Sequence, residues 1–397
     1  MKYLIVNTGS VSAKYAIYSE KSELFFGHFE IEADKIIVTF YNNGEKDKSR
    51  IININEEIFK NSLNFFIEEA IKNNIIENKN DISCLGVRIV SPGTYFQTDR
   101  IINEDFISKI IEKKEEAPRH IPNTLKEIEK IKKIFNQIPI IGISDSAFHK
   151  NVPDFVKYYA IPKKVAEDLD IYHFGYHGIS TRSIINKLSV KNKYINNLSS
   201  KKIIICHLGG GISVVAVKNG KSFDTSMGYT PLQGLIMSTR VGDIDPIAVM
   251  FLGQKLNKNI TELEAYFNNE CGLLGLSGKS SDIRDLIELE KKGDEFAKLA
   301  LEKFIMSIKK YIGSYIAEMG GVDAIIFSGT IGERSFIMRE RICEGLEFLG
   351  IKLNKKINNE TIGFDKKINT IFSPVEILVI CTDEMKDMAD KVIKFIK

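Results

Sequence analysis

One pattern of strand, glycine-containing turn and strand occurs twice in the chain, and it limits the folds that the sequence can adopt. The apolar stretches 3–6 and 202–206 each precede a turn that contains glycine. A second apolar strand follows each turn, at 14–18 and at 213–217. Because the two units start about 200 residues apart and share this pattern, the sequence favours an internal duplication.

Strand-like and helix-like segments alternate along the rest of the chain. The predicted strands include 83–90, 138–143, 322–327 and 375–380. The predicted helices include 58–73, 102–114, 245–256, 295–320, 335–349 and 383–397. Asn219-Gly220 is a strong signal for a hairpin turn. This alternation predicts an α/β protein.

Length and charge narrow the class of protein. A chain of 397 residues is too long for one compact core, so we expect two or more domains. The net charge of +3 is too small to indicate a nucleic acid or an anionic membrane as partner. No apolar run approaches the roughly 18 residues that span a bilayer. The start of the chain enters a strand directly and lacks the shape of a signal peptide, which predicts a cytoplasmic protein.

The five cysteines are far apart and include no Cys-x-x-Cys pair. Their spacing is typical of reduced thiols rather than of a disulfide framework or a zinc site. His173 and His177 stand four apart, but glycine and no acidic residue lies between them. The sequence therefore does not predict a transition-metal site.

The segment 224–246 combines hydroxyl side chains, glycines, two prolines, one arginine and three aspartates. It follows the glycine loop 207–211, whose backbone N–H groups are bare. Backbone N–H groups and a planar guanidinium both bind phosphate oxygens. The two segments together predict a site for a phosphate group.

Ten short motifs occur in one order along nearly the whole chain, at 7–14, 88–90, 117–122, 145–149, 174–178, 207–211, 224–246, 280–285, 331–333 and 382–384. In this order they resemble the acetate kinase family, within the superfamily of actin-like sugar kinases and chaperone ATPases. The resemblance implies reversible transfer of a phosphoryl group between ATP and a short-chain carboxylate, giving an acyl phosphate and ADP. Acetate is the expected acid, with propionate as an alternative.

The resemblance also implies the architecture. We expect two actin-like, ribonuclease-H-like α/β domains, with the active site in the cleft between them. The first domain would comprise 1–147 and 382–397 and bind the carboxylate. The second would comprise 148–381, bind the nucleotide and form a homodimer.

A carboxylate acceptor simplifies the chemistry that such a protein must provide. Carboxylic acids titrate near pH ~4, so the nucleophile is already ionised and needs no general base. Two unit charges about 4 Å apart repel by roughly 4 kcal/mol at an effective dielectric constant of ~20. Arginines, a metal ion and in-line geometry are the expected means of aligning two anions.

Residue roles follow from the resemblance, motif by motif. Arg88 would hold the carboxylate, and Arg240 and His177 would stabilise the phosphoryl group in transfer. Asp145 would organise metal-bound water or orient Arg240. Mg²⁺ (or Mn²⁺) would be held near Asn7 and Glu384, since magnesium needs only a carboxylate or two besides phosphate and water. The residues expected to line the acid pocket are Val90, Arg119, Tyr176 and Pro231. Those expected to contact the nucleotide are Lys14, His207, Leu208, Gly209, Gly210, Gly211, Asp282, Ile283, Arg284, Thr330, Ile331, Gly332, Glu333 and Arg334.

The sequence departs from the family on the nucleotide side. Gly210 replaces an asparagine that is usual in the glycine loop, and Thr330 and Arg334 replace the usual glycine and asparagine around 331–333. Two interpretations remain open. The ATP site is intact despite these changes, or the donor is another nucleotide or pyrophosphate.

It also departs on the acid side. Arg119 replaces a leucine that usually lines the acid pocket, and Ser91-Pro92-Gly93 replaces the usual His-Gly-Gly. A buried, unpaired guanidinium would cost several kcal/mol. Arg119 is therefore expected either to reach solvent or to meet an acidic partner or a more polar substrate.

Two rival functions share the predicted fold: a chaperone-type nucleotide-binding protein and a catalytically silent relative. The chaperone type would lack a carboxylate clamp, whereas Arg88, His177 and Arg240 are all present. The retained Asn7 and Glu384 also favour an active enzyme.

Overall fold

The computed structural model describes residues 1–9, 12–32, 35–117, 121–190 and 194–397. The chain forms two compact units, Met1–Ala147 with Asp383–Lys397, and Phe148–Thr382. Within the described ranges, no helix combines the length and hydropathy needed to cross a bilayer. All five cysteines lie in these ranges and form no disulfide.

The first unit contains an eight-stranded sheet and five helices among the residues that the structure describes. Its strands are β1 (Lys2–Thr8), β2 (Ser12–Ser19), β3 (Glu23–Glu32), β4 (Lys35–Asn42), β5 (Arg50–Ile54), β6 (Ile82–Ile89), β7 (Arg100–Ile101) and β8 (Ile140–Ser144). Its helices are α1 (Glu56–Lys60), α2 (Ser62–Lys72), α3 (Glu104–Glu112), α4 (Ile121–Ile134) and, from the far end of the sequence, α16 (Glu384–Ile396).

The strand order of this sheet is β5-β4-β3-β2-β1-β6-β8-β7. Strands β1 to β5 are antiparallel neighbours, whereas β1, β6 and β8 run parallel. Tightly packed aromatic rings fill the core on one face, with Phe25 stacked on Phe40 and Phe66 at centroid distances of 5.4 and 5.1 Å. On the other face α16 packs so closely that a Cβ at Gly86 would lie 2.5 Å from Val392. The last helix is therefore an integral part of the first unit.

The second unit begins with the helices α5 (Asp154–Lys157), α6 (Lys163–Asp168) and α7 (Gly178–Ser189). Its strands are β9 (Lys202–Leu208), β10 (Ile212–Lys218), β11 (Lys221–Thr225), β12 (Ala324–Ser328), β13 (Lys366–Lys367) and β14 (Glu376–Val379). Its other helices are α8 (Pro246–Leu256), α9 (Ile260–Asn269), α10 (Gly272–Ser277), α11 (Ile283–Lys291), α12 (Glu295–Met319), α13 (Gly329–Arg334), α14 (Phe336–Cys343) and α15 (Lys355–Glu360).

The second sheet has the order β11-β10-β9-β12-β14-β13 and repeats the plan of the first. In both sheets antiparallel strands are followed by parallel ones, and a two-residue antiparallel strand closes the edge. The repeated pattern that the sequence indicated is therefore present in the topology. Ligands of open α/β sheets bind beyond the carboxyl ends of parallel strands, and each sheet offers one such edge.

Most predicted elements are confirmed, with shifted ends. Asn219 and Gly220 have φ of 57° and 74° and join β10 to β11 as the hairpin turn that the sequence predicted. The predicted helix 335–349 is wrong beyond Cys343, where α14 ends. Gly345 follows with φ of 77°, a left-handed conformation that no helix continues through.

Candidate active site

Three polar side chains follow the parallel strands of the first sheet. Asn7 lies near the end of β1, Arg88 near the end of β6, and Asp145 directly after β8. The strand register aligns them, because Val6 pairs with Val87 and Arg88 pairs with Ile143.

Hydrogen bonds join these side chains to the first residue of α16. Arg88 Nη2 donates to Asp145 Oδ2 at 3.0 Å, and Arg88 Nη1 donates to Asn7 Oδ1 at 3.4 Å. Asn7 Nδ2 donates to Glu384 Oε2 at 3.0 Å. Asp145 is 2% exposed. Its backbone N–H donates to Ile89 O and its carboxylate accepts from Arg88, so both its main chain and its side chain are held in place. One connected group in the first unit thus contains Arg88, predicted to hold the carboxylate, Asn7 and Glu384, predicted to lie near the metal, and Asp145, predicted to organise metal-bound water or orient Arg240.

The charge on Arg88 is strongly favoured. Burial opposes it, but the carboxylates of Asp145 and Glu384 outweigh burial and raise the pKa of Arg88. The Nε atom of the same guanidinium is buried and has no hydrogen-bond partner among the described residues. A buried unsatisfied donor costs about 1–3 kcal/mol, so this N–H is suited to an acceptor oxygen of a ligand.

Lys14 lies next to this group. It faces Asn7 across β1 and β2, and His28 faces it on β3. Burial, and then the charge of Lys14, lower the pKa of His28 to about 4. The lysine predicted to contact a phosphate therefore belongs to the same unit and sheet face as the predicted metal ligand Asn7.

The loop after β6 is shaped by local bonds. Val90 is half-buried directly after the strand. Ser91 is 2% exposed and its hydroxyl donates to Pro92 O at 3.0 Å, while Gly93 has φ of 110°. Arg119, the fourth predicted acid-pocket residue, lies outside the described residues.

In the second unit, the glycine loop, His177 and Arg240 are close together. A Cβ at Gly211 would lie 3.0 Å from His177 Nε2 and 3.8 Å from Arg240 Nη1. His177 directly precedes α7 as its N-cap residue and has a left-handed φ of 59°; its Nδ1 hydrogen-bonds to Ser213 Oγ at 3.0 Å. Because Nδ1 is held by Ser213, Nε2 is the ring atom that faces the loop and the arginine.

Two predicted acid-pocket residues, Pro231 and Tyr176, belong to the same unit as Arg240. Arg240 Nη1 donates to Pro231 O at 3.4 Å. Tyr176 is 1% exposed and its hydroxyl donates to Tyr229 O at 2.7 Å. The same unit thus contains two of the residues expected to contact the acid and the arginine expected to contact the phosphoryl group.

Two of the predicted nucleotide segments, 207–211 and 330–334, meet at the carboxyl ends of β9 and β12. A Cβ at Gly329 would lie 2.7 Å from Leu208 O, and Gly329 has φ of 73°, so only glycine suits this approach. Glu333 Oε1 accepts the N–H groups of Gly329 at 3.0 Å and of Thr382 at 3.1 Å. Leu208 and Gly332 are buried and Ile331 is half-buried, so these residues shape the turn.

The unusual positions on this side face open space. A Cβ at Gly210 would meet nothing within 4 Å, and Thr330 and Arg334 are exposed. Gly209 approaches the ring of His207, whose Nδ1 hydrogen-bonds to Ser180 Oγ at 2.8 Å.

The third predicted nucleotide segment is the start of α11. Asp282 caps the helix by accepting the Arg284 N–H at 2.7 Å, and Ile283 is buried. The hydrogen bond from the Arg284 side chain to this carboxylate lowers the pKa of Asp282. These bonds hold the turn and leave the Arg284 side chain exposed.

Sequence reasoning missed two supporting side chains, Ser213 and His149. His149 is fully buried; its Nδ1 bonds to Ser222 Oγ at 2.7 Å and its Nε2 to Tyr176 O at 3.0 Å. It therefore fixes the backbone that carries Tyr176 and His177. Its place in the motif 145–149 was visible in the sequence, but this role depends on contacts with residues far along the chain.

The donor set in the first unit is compatible with magnesium. The described residues contain no group of three or more His, Cys, Asp or Glu side chains that could hold a metal ion. Glu384 would supply a carboxylate and Asn7 an amide oxygen, which in this structure accepts from Arg88 Nη1, and water and phosphate oxygens would complete the octahedron of magnesium. Neither thiol nor imidazole belongs to this pair.

Comparisons with known proteins agree with this geometry. The family model described as "Acetokinase family" matches residues 2–390. The chain is 38% identical to an acetate kinase of Bacillus cytotoxicus over 396 residues, covering 99% of this chain and 98% of the relative. It is 39% identical to an acetate kinase of Macrococcus caseolyticus over 387 residues, covering 96% of each.

Solved structures give the same result for the fold. The structure is similar to the crystal structure of Porphyromonas gingivalis acetate kinase, with a TM-score of 0.84, 31% identity and complete coverage of both chains. It is also similar to a propionate kinase from Francisella tularensis, with a TM-score of 0.86, 32% identity and 98% coverage of both. The predicted α/β fold with two actin-like domains is confirmed.

Proposed function

The chain belongs to the acetokinase family, and from this premise we propose that it transfers a phosphoryl group reversibly between ATP and a short-chain carboxylate. It is a phosphotransferase with a carboxyl group as acceptor. The observation that supports the acceptor most directly is the unpartnered, buried Nε of Arg88. A carboxylate oxygen satisfies this donor and gains a charge-assisted hydrogen bond.

Arg88 serves as the carboxylate clamp. Its two Nη atoms are held by Asp145 and Asn7, which fixes the plane of the guanidinium before a substrate arrives. A fixed donor costs little reorganisation when the acyl oxygen attacks phosphorus. Asp145 acts through Arg88 as a positioning residue and needs no proton transfer, because the acceptor is already ionised at neutral pH.

The second unit handles the phosphoryl group and the nucleotide. Arg240 and His177 donate to the oxygens of the phosphoryl group, whose charge is spread over three oxygens in the transition state. Gly211 allows His177 Nε2 and Arg240 Nη1 to reach the same small volume. Nucleotide phosphates bind the backbone of Gly209, Gly210 and Gly211, and the adenosine lies by 282–284 and 330–334.

The family generally requires Mg²⁺ with ATP, and Mn²⁺ is the expected substitute. Asn7 and Glu384 would hold the ion, with Lys14 as a further cation beside them. When bound, the ion neutralises negative charge on phosphate oxygens. The protein groups then align the acceptor and exclude water.

Acetate is the proposed acid, and propionate is the alternative. Val90, Tyr176 and Pro231 are residue types that suit a small apolar acid. Arg119 is still predicted to influence which acid is preferred, since its guanidinium could bind a polar group of a longer or more polar acid.

A hydroxamate assay that crosses acids with phosphoryl donors tests the proposal. The acids are acetate, propionate, butyrate and succinate, and the donors are ATP, GTP and pyrophosphate. We expect the highest kcat/KM with ATP and acetate or propionate. Faster turnover with pyrophosphate than with ATP would show that pyrophosphate is the donor. If no pair of acid and donor gave an acyl phosphate, the protein would be a catalytically silent relative.

A homodimer through the second unit is part of the proposal. Helix α8 has large exposed apolar side chains on one face, with Ile247 69%, Met250 68% and Phe251 56% exposed. Helix α12 exposes Phe296, Leu299 and Met306 opposite its buried face. Large exposed apolar patches mark surfaces that associate with other proteins.

A further inference from the structure

The segment 224–246 contains three aspartates and one arginine, and the function proposed above uses only Arg240. A carboxylate repels phosphate oxygens, so the aspartates of a segment predicted to bind phosphate have some other role. Asp224 lies in β11, and the side chain of Asp245 caps α8. Asp243, three positions after Arg240, is the aspartate whose contacts bear on the arginine.

Asp243 closes the loop that carries Arg240. Its Oδ1 accepts the Gly234 N–H at 3.1 Å, and its own backbone N–H donates to Gly234 O at 2.8 Å. A Cβ at Gly242 would lie 2.6 Å from Gly234 O, so the two ends of the loop are in direct contact. The loop 234–243 is therefore closed at its base by one main-chain bond and one side-chain bond.

The hydroxyl of Tyr311, on α12, binds the other carboxylate oxygen of Asp243. Tyr311 is half-buried and donates to Asp243 Oδ2 at 2.7 Å. Burial, followed by this hydrogen bond, raises the pKa of Tyr311, so the phenol stays protonated and donates at neutral pH. The carboxylate thus joins the base of the loop to a long helix that also packs against α10 and α11.

The tip of the loop is held by backbone groups. Arg240 O accepts the Met237 N–H at 3.0 Å, and Met237 O accepts the Leu273 N–H of α10 at 2.9 Å. These main-chain bonds survive substitution of side chains. The base of the loop also depends on two side chains, so its contribution can be removed by mutation.

The place of this loop matters because the guanidinium of Arg240 shares a small volume with His177. A Cβ at Gly211 would lie 3.8 Å from Arg240 Nη1 and 3.0 Å from His177 Nε2. Donors stabilise a transition state only when they stand at hydrogen-bond distance from its oxygens, and a displacement of about 1 Å can cost about 10²-fold in rate.

We propose that Asp243 and Tyr311 are positioning residues for Arg240, which hold the loop 234–243 where the guanidinium meets the phosphoryl group in transfer. This inference rests on the role proposed above for Arg240. Neither residue touches a substrate; both act through the arginine.

Steady-state kinetics with the acid and ATP varied in turn tests the inference. Tyr311→Phe removes one hydrogen bond and is expected to lower kcat at least about fivefold, and Asp243→Ala, which opens the base of the loop, at least about thirtyfold. Since Arg240 acts on the phosphoryl group in transfer, both KM values should change by less than about twofold.

The conservative variant Asp243→Asn should restore most of the rate. Its amide oxygen can accept the Gly234 N–H, and its amide nitrogen can donate to the Tyr311 hydroxyl. We expect at least about a third of the parent kcat, well above that of Asp243→Ala. A kcat as low as that of Asp243→Ala would contradict a role that depends on these hydrogen bonds.

Tyr95→Phe is the matched control. Tyr95, in the first unit, donates to Asp105 Oδ2 at 2.7 Å, which is the same bond between the same two groups. Its removal should leave kcat within about twofold. Equal losses of kcat in Tyr95→Phe and Tyr311→Phe, or an unchanged kcat in Tyr311→Phe, would overturn the inference. Because Tyr311→Phe removes a single oxygen, it decides the question even if Asp243→Ala does not fold.

The double variant Asp243→Ala with Arg240→Ala shows whether the effect passes through the arginine. We expect its kcat to lie within about twofold of that of Arg240→Ala, because Asp243 has nothing left to position. A further loss as large as in the parent would give Asp243 a different role. A parent protein that forms no acyl phosphate would refute the proposed function itself, whereas an active parent with an unaffected Tyr311→Phe would refute only this inference.

Discussion

Arg88 combines a structural role with a chemical one: it holds neighbouring side chains in place and offers a donor to a ligand. Two of its nitrogens are used to hold Asp145 and Asn7, and the third faces no protein acceptor within the described residues. A lysine has the same charge but cannot donate in three fixed directions. The planar fork therefore does more than neutralise an anion.

We predict that Arg88→Lys lowers kcat/KM for the carboxylate by about 10²-fold or more, as the loss of one preorganised donor does in other enzymes. The KM for ATP should stay unchanged, because Arg88 is assigned to the acid. Steady-state kinetics with each substrate varied in turn measures both effects.

Arg100→Lys is the matched control for this variant. Arg100 lies in the same unit, where its Nε donates to Tyr95 O at 2.8 Å and its guanidinium covers the Tyr95 ring. Its replacement should change kcat/KM by less than about twofold. Equal losses in the two variants would show that the clamp assignment is wrong.

The residues of this group could be found from the sequence because each lies in a motif of the family. Asn7 and Asp145 follow predicted strands, Arg88 lies near the end of one, and Glu384 lies near the start of a predicted helix. Parallel strands place such positions at one edge. The unused Nε of Arg88 could not be found, because it depends on side-chain rotamers and on Glu384, which is 377 positions from Asn7. His149 was missed for the same reason.

At the scale of the element, the loop between β9 and β10 distinguishes three glycines that look alike in the sequence. Gly211 is pressed against His177 and Arg240, whereas Gly210 borders open space. The sequence predicted the turn from its composition. It could not show which glycine is irreplaceable, because that depends on the approach of α7 and of the segment around Arg240.

We predict that Gly211→Ala lowers kcat at least about tenfold, because a Cβ 3.0 Å from Nε2 forces the histidine or the loop to shift, and small misplacements reduce rates strongly. Gly313→Ala, in α12 of the same unit, is the control and should stay within about twofold, because an added Cβ there meets nothing within 4 Å. Rapid-quench measurement of the phosphoryl-transfer step would separate this effect from product release. A Gly313→Ala loss as large as that of Gly211→Ala would contradict the role given to the contact.

No element was predicted from the sequence for 23–54, where β3, β4 and β5 extend the first sheet. These strands are antiparallel additions, held by cross-strand aromatic pairs such as Phe26 with Tyr41. Such pairs become evident only when the register is known.

At the scale of the whole molecule, the sheets of the two units share one strand arrangement, but each unit adds different elements to it. The first gains extra antiparallel strands, and the second gains the long helix α12 and the exposed helix α8. The shared plan could be predicted from the repeated strand and turn pattern. The exposed apolar faces of α8 and α12 could not be predicted from the sequence, because the sequence does not show whether an apolar face of a helix is buried or exposed.

We predict a solution mass near twice the 44.9 kDa of the chain. The double variant Ile247→Lys with Met250→Lys should shift the protein towards the monomer, because it places two charges in the proposed apolar interface. Size-exclusion chromatography with light scattering measures the mass.

Ile371→Lys is the control for this experiment. Ile371 is 90% exposed in the turn before β14 and lies on neither helix. Its replacement should leave the mass unchanged. A monomeric parent protein, or a dimer that survives the double variant, would refute the interface.

The return of α16 to the first unit has a consequence for biosynthesis. Ribosomes make the first sheet early, but the helix that covers β1 and β6 emerges only after all of Phe148–Thr382 has been translated. Until then Gly86 lacks Val392 above it, and Asn7 lacks its bond to Glu384. The face of the first sheet that α16 covers therefore stays without this helix until the end of the chain has been made. The proposed metal ligands Asn7 and Glu384 come together only as translation finishes.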